Sequence, residues 1–364
     1  MNIALMIPSA FWGGGEQYCY DLGKELQHNG HKVVAVSCRN GESADRFQSI
    51  MPTLCLTTHT RKKQQLSVEA IYRLARMLSK EKIDVIHVNT YLQLTLCILS
   101  KKLCRHNIKI IYTIHLNQPR FENAITRWAY KHIDTFCCVS KIVEETFIYN
   151  SPKYIVDRTR VVHNSIPYTE YNTAIDWHKV YNIPEEKLIL SVHGRIHEEK
   201  GIDFIIDVLR EILKTHKNIV LVISGTGENR YCEKLQHANK DLIESGSLFF
   251  IGFHSNIREQ IKNVDVGLVP SIVSESFSLS ALEYIQAGVP VISSNNGGQK
   301  EIIIDSKSGY LLPPQDKQQW TDKIIRLIGD TELRTNMSEQ QKKQFDEQLN
   351  YNIFYNNIIN LYKQ

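Results

Sequence analysis

Apolar positions along the chain follow two alternating rhythms. Short unbroken runs at Ile3–Ile7, Lys32–Ser37, Asp84–Asn89, Lys109–Ile114 and Thr135–Val139 read as buried strands. Between them apolar residues recur at helical spacing. Tyr18, Leu22 and Leu26 do so before Gly30, Ile71, Leu74, Ala75 and Leu78 do so within Val68–Leu78, and Leu92–Leu103 forms a further helical segment. Strands apolar on both faces, separated by amphipathic helices, predict a parallel, doubly wound sheet. The first such unit closes near Val161–His163, and Asn164–Pro184 reads as a polar linker. The pattern then restarts, with strands expected at Leu188–Val192, Ile219–Ser224, Leu248–Ile251, Val264–Val269 and Pro290–Ser293. From about Asp316 the chain is amphipathic, charged and helical. The fold class is α/β, with two Rossmann-like domains facing one another across a cleft. Their expected extents are 1–168 and 169–347, with a C-terminal helix at about 348–364 packing back on the first.

A chain of 364 residues suits two domains of ~150–200 residues each. Its 42% hydrophobic and 23% charged content describes a soluble globular protein, and no run approaches the ~20 apolar residues of a membrane span. Residues 1–8 read as a first strand rather than a signal peptide. The eight cysteines form no CxxC pair and sit mostly in apolar runs, which points to free thiols in a reducing, cytoplasmic compartment. The fourteen histidines include no HExxH, so no metal site is expected. Charge is uneven. Residues 1–170 carry 22 Lys+Arg against 14 Asp+Glu, a net of +8, and residues 171–364 carry 21 against 25, a net of −4. A basic first half implies an anionic partner, a phosphate-bearing acceptor or an acidic membrane surface, rather than nucleic acid. Arg61-Lys62-Lys63, together with Lys101, Lys102 and Arg105 beside an inward face of Leu94, Ile98 and Leu99, is the candidate membrane-facing surface.

Candidate chemistry gathers where strands end, because open parallel sheets bind ligands at the carboxyl ends of their strands. Gly13-Gly14-Gly15-Glu16 follows the first strand, a place where backbone N–H groups can approach an anion. It is not GxGxxG, and Ser37-Cys38-Arg39 supplies no acidic residue after the second strand, which disfavours a dinucleotide-binding dehydrogenase. His115 ends the strand Lys109–Ile114. In the second half, Gly194-Arg195 and Lys200-Gly201 bracket two cations, a candidate diphosphate clamp. Gly225-Thr226-Gly227, Gly252-Phe253-His254 and Asn296-Gly297-Gly298 with Glu301 close the next strands. Glu275 and Glu283 flank the turn after Val264–Val269. With Glu275 at the helix mouth, Glu283 falls two turns further and about 80° round at ~100° per residue. Ser280-x-x-Glu283 also fits a capping box, in which Glu283 serves only a backbone donor.

In this order and spacing these residues resemble the retaining glycosyltransferase family 4, which has the GT-B fold. The matching stretches are Gly14-Gly15-Glu16, Thr113-x-His115, Ser140, Asn164-Ser165-Ile166, Gly194-Arg195 with Lys200-Gly201, Gly225-x-Gly227, Gly252-Phe253, Glu275 through Glu283, and Gly297-Gly298-x-x-Glu301. The resemblance implies a nucleotide-sugar donor, UDP-sugar first, held mainly by the second domain and a saccharide or lipid-linked acceptor held mainly by the first. It assigns the donor diphosphate to Arg195 and Lys200 beside Gly194 and Gly225, and the ribose hydroxyls to Glu283. The donor sugar and phosphate fall to Glu275 and the backbone of Ser276, Phe277, Ser278 and Leu279, with Gly14, Gly15 and Glu16 near the phosphate and His115 beside the sugar. Two departures stand out: Asn164-Ser165-Ile166 replaces Asn-Gly-Ile/Val, and Glu275-Ser276-Phe277-Ser278 replaces Glu-Gly-Phe-Gly. The implied mechanism is front-face displacement without an enzymic nucleophile, and with no Asp-x-Asp triplet no obligatory metal cofactor is expected. A sugar-nucleotide epimerase and a catalytically inactive binding protein of the same fold are the alternatives.

Overall fold

The computed structural model describes every residue except Pro8, Ala10, Phe11, Asn40, 57–66, Phe121 and 171–174, so the Arg61–Lys63 cluster lies outside the described residues. The chain divides into two compact units, residues 1–164 with 351–364, and residues 165–350.

In the first unit the order is β1 (Asn2–Met6), α1 (Gly14–His28), β2 (Lys32–Cys38), α2 (Glu42–Gln48), β3 (Thr53–Leu56), α3 (Val68–Lys80), β4 (Val85–Val88) and α4 (Leu94–Lys102). It continues with β5 (Lys109–Ile114), α5 (Ala124–Tyr130), β6 (Thr135–Cys138), α6 (Lys141–Ile148), α7 (Lys153–Val156) and β7 (Thr159–Val161). The seven strands are parallel, in the order β3-β2-β1-β4-β5-β6-β7. In the second unit α8 (Trp177–Val180) precedes β8 (Leu188–His193), α9 (Ile202–Ile212), β9 (Ile219–Ser224), α10 (Asn229–Ala238), α11 (Lys240–Glu244), β10 (Leu248–Gly252), α12 (Ile257–Gln260) and β11 (Val266–Val269). Then follow α13 (Leu279–Ala287), β12 (Val291–Ser294), β13 (Gly309–Leu312), α14 (Lys317–Gly329) and α15 (Thr331–Gln344), and α16 (Tyr351–Lys363) ends the chain in the first unit. The second sheet is also parallel, ordered β10-β9-β8-β11-β12-β13.

Both sheets are covered on both faces, which is why their strands are apolar throughout. All six residues of β9 are buried, as are the last five of β8. One core joins α9, α14 and the second sheet through Ile205, Leu209, Leu221, Leu268 and Trp320. Another joins α1 and α16 to the first sheet through Leu5, Leu22, Phe354, Ile358 and Tyr362.

Three expectations need correction. Asn164–Pro184 is not a polar linker: Ile166, Trp177 and Ile183 are buried, and the indole N–H of Trp177 donates to Gln260 Oε1 at 3.0 Å. The edge strands β3 and β13 were not foreseen, because a run of four residues, even with three apolar, is too short to tell strand from loop. Gly14 and Gly15 belong to the first turn of α1 rather than to a loop before it, with Gly13 at the N-cap. Ser165, in the usual glycine position, is not among the residues with positive φ, and its hydroxyl donates to the Leu349 carbonyl.

Candidate active site

Strand order reverses at one point in each sheet, between β1 and β4 and between β8 and β11. There the following connections diverge to opposite sides and leave a crevice at the strand ends. In the second unit the loops that part at this point are 194–201 and 270–278. They stay tied to each other: the Ile272 N–H donates to the Glu199 carbonyl at 2.8 Å, and Gly201 (φ +67°) passes so close that a Cβ would lie 2.1 Å from the Pro270 oxygen. Gly225, after β9, has φ +141° and a Cβ there would meet the Gly194 carbonyl at 1.7 Å. Only glycine permits that approach.

The crevice is lined by Gly194, Arg195, Lys200, Ser271, Glu275 and Ser280, among others. Lys200 Nζ lies 2.7 Å from Glu275 Oε1, the oxygen that also accepts from the Ser271 hydroxyl. Burial alone would raise the Glu275 pKa. The Lys200 charge and hydrogen bond, with those from Ser271 and Ser278, outweigh it and hold the carboxyl below its usual value. Arg195 keeps its guanidinium largely in solvent, with Glu199 at 4.0 Å its ion-pair partner among the described residues.

Glu275 stands four residues before the first residue of α13, so the angular estimate that put it at the helix mouth does not apply. Ser278 is the N-cap of α13 and accepts from the Ala281 N–H at 3.4 Å. Ser280 donates instead to the His193 carbonyl at 3.0 Å, so the Ser280–Glu283 capping box is not formed. Glu283 is freed for side-chain partners: its Oε2 lies 2.6 Å from His193 Nε2 and its Oε1 accepts from Arg258 Nε at 2.9 Å. Burial pushes against the charge, yet the His193 hydrogen bond and the Arg258 guanidinium bring the Glu283 pKa to about 2. Phe277 is buried, and Ser276 abuts Gly298, where a Cβ would lie 2.3 Å from the Ser276 oxygen. Leu279 opens α13.

The other expected site residues, Gly14, Gly15, Glu16 and His115, lie at the switch point of the first unit. Glu16 folds back within the first turn of α1. Burial raises its pKa, opposed by hydrogen bonds from Ser9 and the Gly13 backbone, so its own carboxyl occupies this helix N-terminus. His115 Nε2 lies 2.9 Å from Asn89 Oδ1. The Asn89 amide orientation is set by its Nδ2, which donates to the Met6 carbonyl at 3.2 Å, so Oδ1 accepts and His115 carries its proton on Nε2. Burial lowers the His115 pKa to about 4, leaving a neutral ring with Nδ1 as acceptor.

Sequence reasoning missed His193, Arg258, Ser271 and Ser280. His193 had one visible signal, its place as the last residue of an apolar strand beside Gly194. Arg258 had none, because only the fold brings α12 to α13. Among the described residues no group of three His, Cys, Asp or Glu side chains is placed to hold a metal ion, and all eight cysteines are free. No helix of the described residues is long and apolar enough to cross a membrane.

Two doubly wound parallel units, the second with Arg195, Lys200 and Glu275 lining a crevice at its switch point, have the GT-B architecture. Residues 12–170 match Glycosyltransferase Family 4 and residues 174–344 match Glycosyl transferases group 1, and the chain belongs to this family of glycosyltransferases. Over its whole length it is 27% identical to an uncharacterized glycosyltransferase of Methanocaldococcus jannaschii, covering 98% of that protein. It is 26% identical to the N-acetyl-alpha-D-glucosaminyl L-malate synthase of Bacillus anthracis, over 92% of this chain and 90% of that one. Its fold matches that of Anabaena HepE, solved in complex with UDP, with a TM-score of 0.84 at 18% identity over 99% of both chains.

Proposed function

We propose that the protein transfers a hexosyl unit from a UDP-sugar, with retention of anomeric configuration, to a saccharide or lipid-linked acceptor in cell-surface polysaccharide synthesis. The observation that carries this reading is the crevice at the β8/β11 switch point, where Lys200 pairs with Glu275 and Arg195 lines the same crevice. Two cations beside glycine-lined backbone suit a diphosphate, and departure of that diphosphate is the step that most needs charge stabilisation. In the proposed reaction the bond from the anomeric carbon to the phosphate oxygen breaks, and the acceptor oxygen bonds to the same face. The acceptor proton passes to the departing phosphate oxygen. Arg195 and Lys200 offset the charge that develops there. Glu275, held by Lys200 and Ser271, addresses the donor sugar together with the backbone of residues 276–279, and Glu283 addresses the ribose. His115 offers a neutral acceptor nitrogen to the sugar. The chemistry needs no enzymic nucleophile and, in this reading, no obligatory metal. The basic first unit suits an acceptor carrying phosphate, at an anionic membrane surface on the cytoplasmic side.

The test is incubation with a panel of UDP- and GDP-sugars and saccharide acceptors, with the product's anomeric configuration read by NMR. An α-linked product from an α-configured UDP-sugar is expected, with Lys200→Ala lowering kcat/KM roughly tenfold to hundredfold. An inverted product, or unchanged transfer by Lys200→Ala, overturns the reading. Release of an altered free sugar nucleotide without acceptor establishes the epimerase instead.

A further inference from the structure

Glu283 is held from two sides by residues of two other strand ends. His193, the last residue of β8, reaches its Oε2 at 2.6 Å, and Arg258, on α12 after β10, reaches its Oε1 at 2.9 Å. An ionised carboxylate only accepts, so the imidazole proton sits on Nε2. The other ring nitrogen, Nδ1, is buried and has no hydrogen-bond partner among the described residues. A leucine or phenylalanine would fill this strand-end position without burying an unpaired nitrogen, so what distinguishes histidine here is the Nε2 bond to Glu283. The ring is also fixed in place. It stands edge-on to Tyr284 with centroids 4.6 Å apart, and the Tyr284 hydroxyl is tied to the Ser191 carbonyl at 2.8 Å. The His193 backbone is pinned by the Ser280 hydroxyl.

We propose that His193 and Arg258 are positioning residues for the nucleotide, each fixing one oxygen of Glu283 so that the remaining lone pairs meet the ribose diol. The inference rests on the reading of Glu283 as the ribose contact. A vicinal diol needs two acceptors at one fixed spacing and orientation. A carboxylate free to turn about its terminal torsion offers that arrangement only part of the time, and one anchored through both oxygens offers it always. Neither residue need touch the reacting atoms, so their loss weakens the discrimination of ribose from deoxyribose more than it slows chemistry.

The experiment uses the full chain and measures affinity for UDP and for 2′-deoxy-UDP by calorimetry, with thermal melts and donor kinetics alongside. The variants are Glu283→Gln, His193→Phe, His193→Gln, Arg258→Gln and Arg258→Lys. The unaltered protein is expected to prefer UDP by about tenfold or more, the value of one hydrogen bond to a charged group. His193→Phe and Arg258→Gln reduce that ratio to about twofold and raise donor KM more than they lower kcat, while Arg258→Lys restores part of the ratio. His193→Gln and Arg258→Lys keep a donor at each position, so the comparison stands if either harsher variant fails to fold. If Glu283→Gln abolishes the preference while the folded His193 and Arg258 variants retain it, the inference is wrong and the ribose reading survives. If Glu283→Gln retains the preference, or the unaltered protein has none, the ribose reading fails and takes the inference with it.

Discussion

His87 on β4 and His115 just past the end of neighbouring β5 share one property, a ring kept neutral by burial. His87 is fully buried between the Tyr362 hydroxyl and the Thr113 hydroxyl, each 2.6 Å from a ring nitrogen, and burial lowers its pKa from 6.5 to about 3. Above pH 6.5 this costs nothing, since both the folded and the unfolded chain hold the neutral form. As pH falls below 6.5 the unfolded chain takes up a proton that the folded chain refuses until about pH 3. Stability therefore declines by about 1.4 kcal/mol per pH unit for this one group. Between pH 7 and pH 5 the loss through His87 is about 2 kcal/mol, and His115 adds to it in the same direction. Glu283 contributes at lower pH, its stabilisation present above 4.5 and lost as pH falls toward 2. Replacing His87 with glutamine, which bonds both ways without titrating, should flatten the pH 7 to 5 dependence by about that 2 kcal/mol in urea denaturation. An unchanged slope would show that His87 is protonated in the folded state.

Among the elements, α16 shows how a periodic pattern gains meaning from its neighbours. Tyr351, Phe354, Tyr355, Ile358, Ile359 and Tyr362 lie at helical spacing, so an amphipathic helix was legible in the residues themselves. What the pattern did not state is that its far end supplies the hydrogen bond to His87, a polar contact between residues 275 positions apart in sequence. Tyr362→Phe removes that partner and leaves a buried ring nitrogen unpaired, at a cost of about 1–3 kcal/mol. Asn360→Ala, on the exposed face of the same helix, should stay within about 0.5 kcal/mol. Equal losses in equilibrium denaturation would remove the buried bond as the cause. A similar division holds at α13. The turn after β11 was readable as a site from its carboxylates. The cap at Ser278 was not, because Ser278 and Ser280 are equally good N-caps locally, and only the contact of Ser280 with the His193 carbonyl separates them.

Across the whole chain, the structural division sharpens the charge asymmetry. Residues 1–164 with 351–364 hold 23 Lys+Arg and 13 Asp+Glu, a net of +10, and residues 165–350 hold 20 and 26, a net of −6. The candidate lipid-facing end of α4 is more committed than its sequence implied. Lys101 pairs with Asp134 at 3.4 Å, and Lys102 Nζ stands 5.1 Å from the Trp128 ring centroid, while Arg105 and Leu103 are exposed. Under the proposed acceptor reading, the protein should sediment with vesicles containing phosphatidylserine at low salt and be released as ionic strength rises, since the Debye length falls to about 8 Å at 0.15 M. Arg105→Glu should weaken that association. Equal binding to neutral vesicles would count against an electrostatic surface.

The sequence by itself determined the two α/β units, most of their strands, and the cations and carboxylates at the strand ends. These follow from local periodicity and from glycines that must stand where backbone turns or passes closely. The tertiary structure decided which groups face each other: Lys200 with Glu275, His193 and Arg258 with Glu283, Tyr362 with His87. Those partners come from different strands and helices, and their ionisation depends on burial and charge that a linear pattern does not encode. A carboxylate eight residues from another looks the same along the chain whether it caps a helix or lies between an imidazole and a guanidinium. Packing alone distinguishes the two.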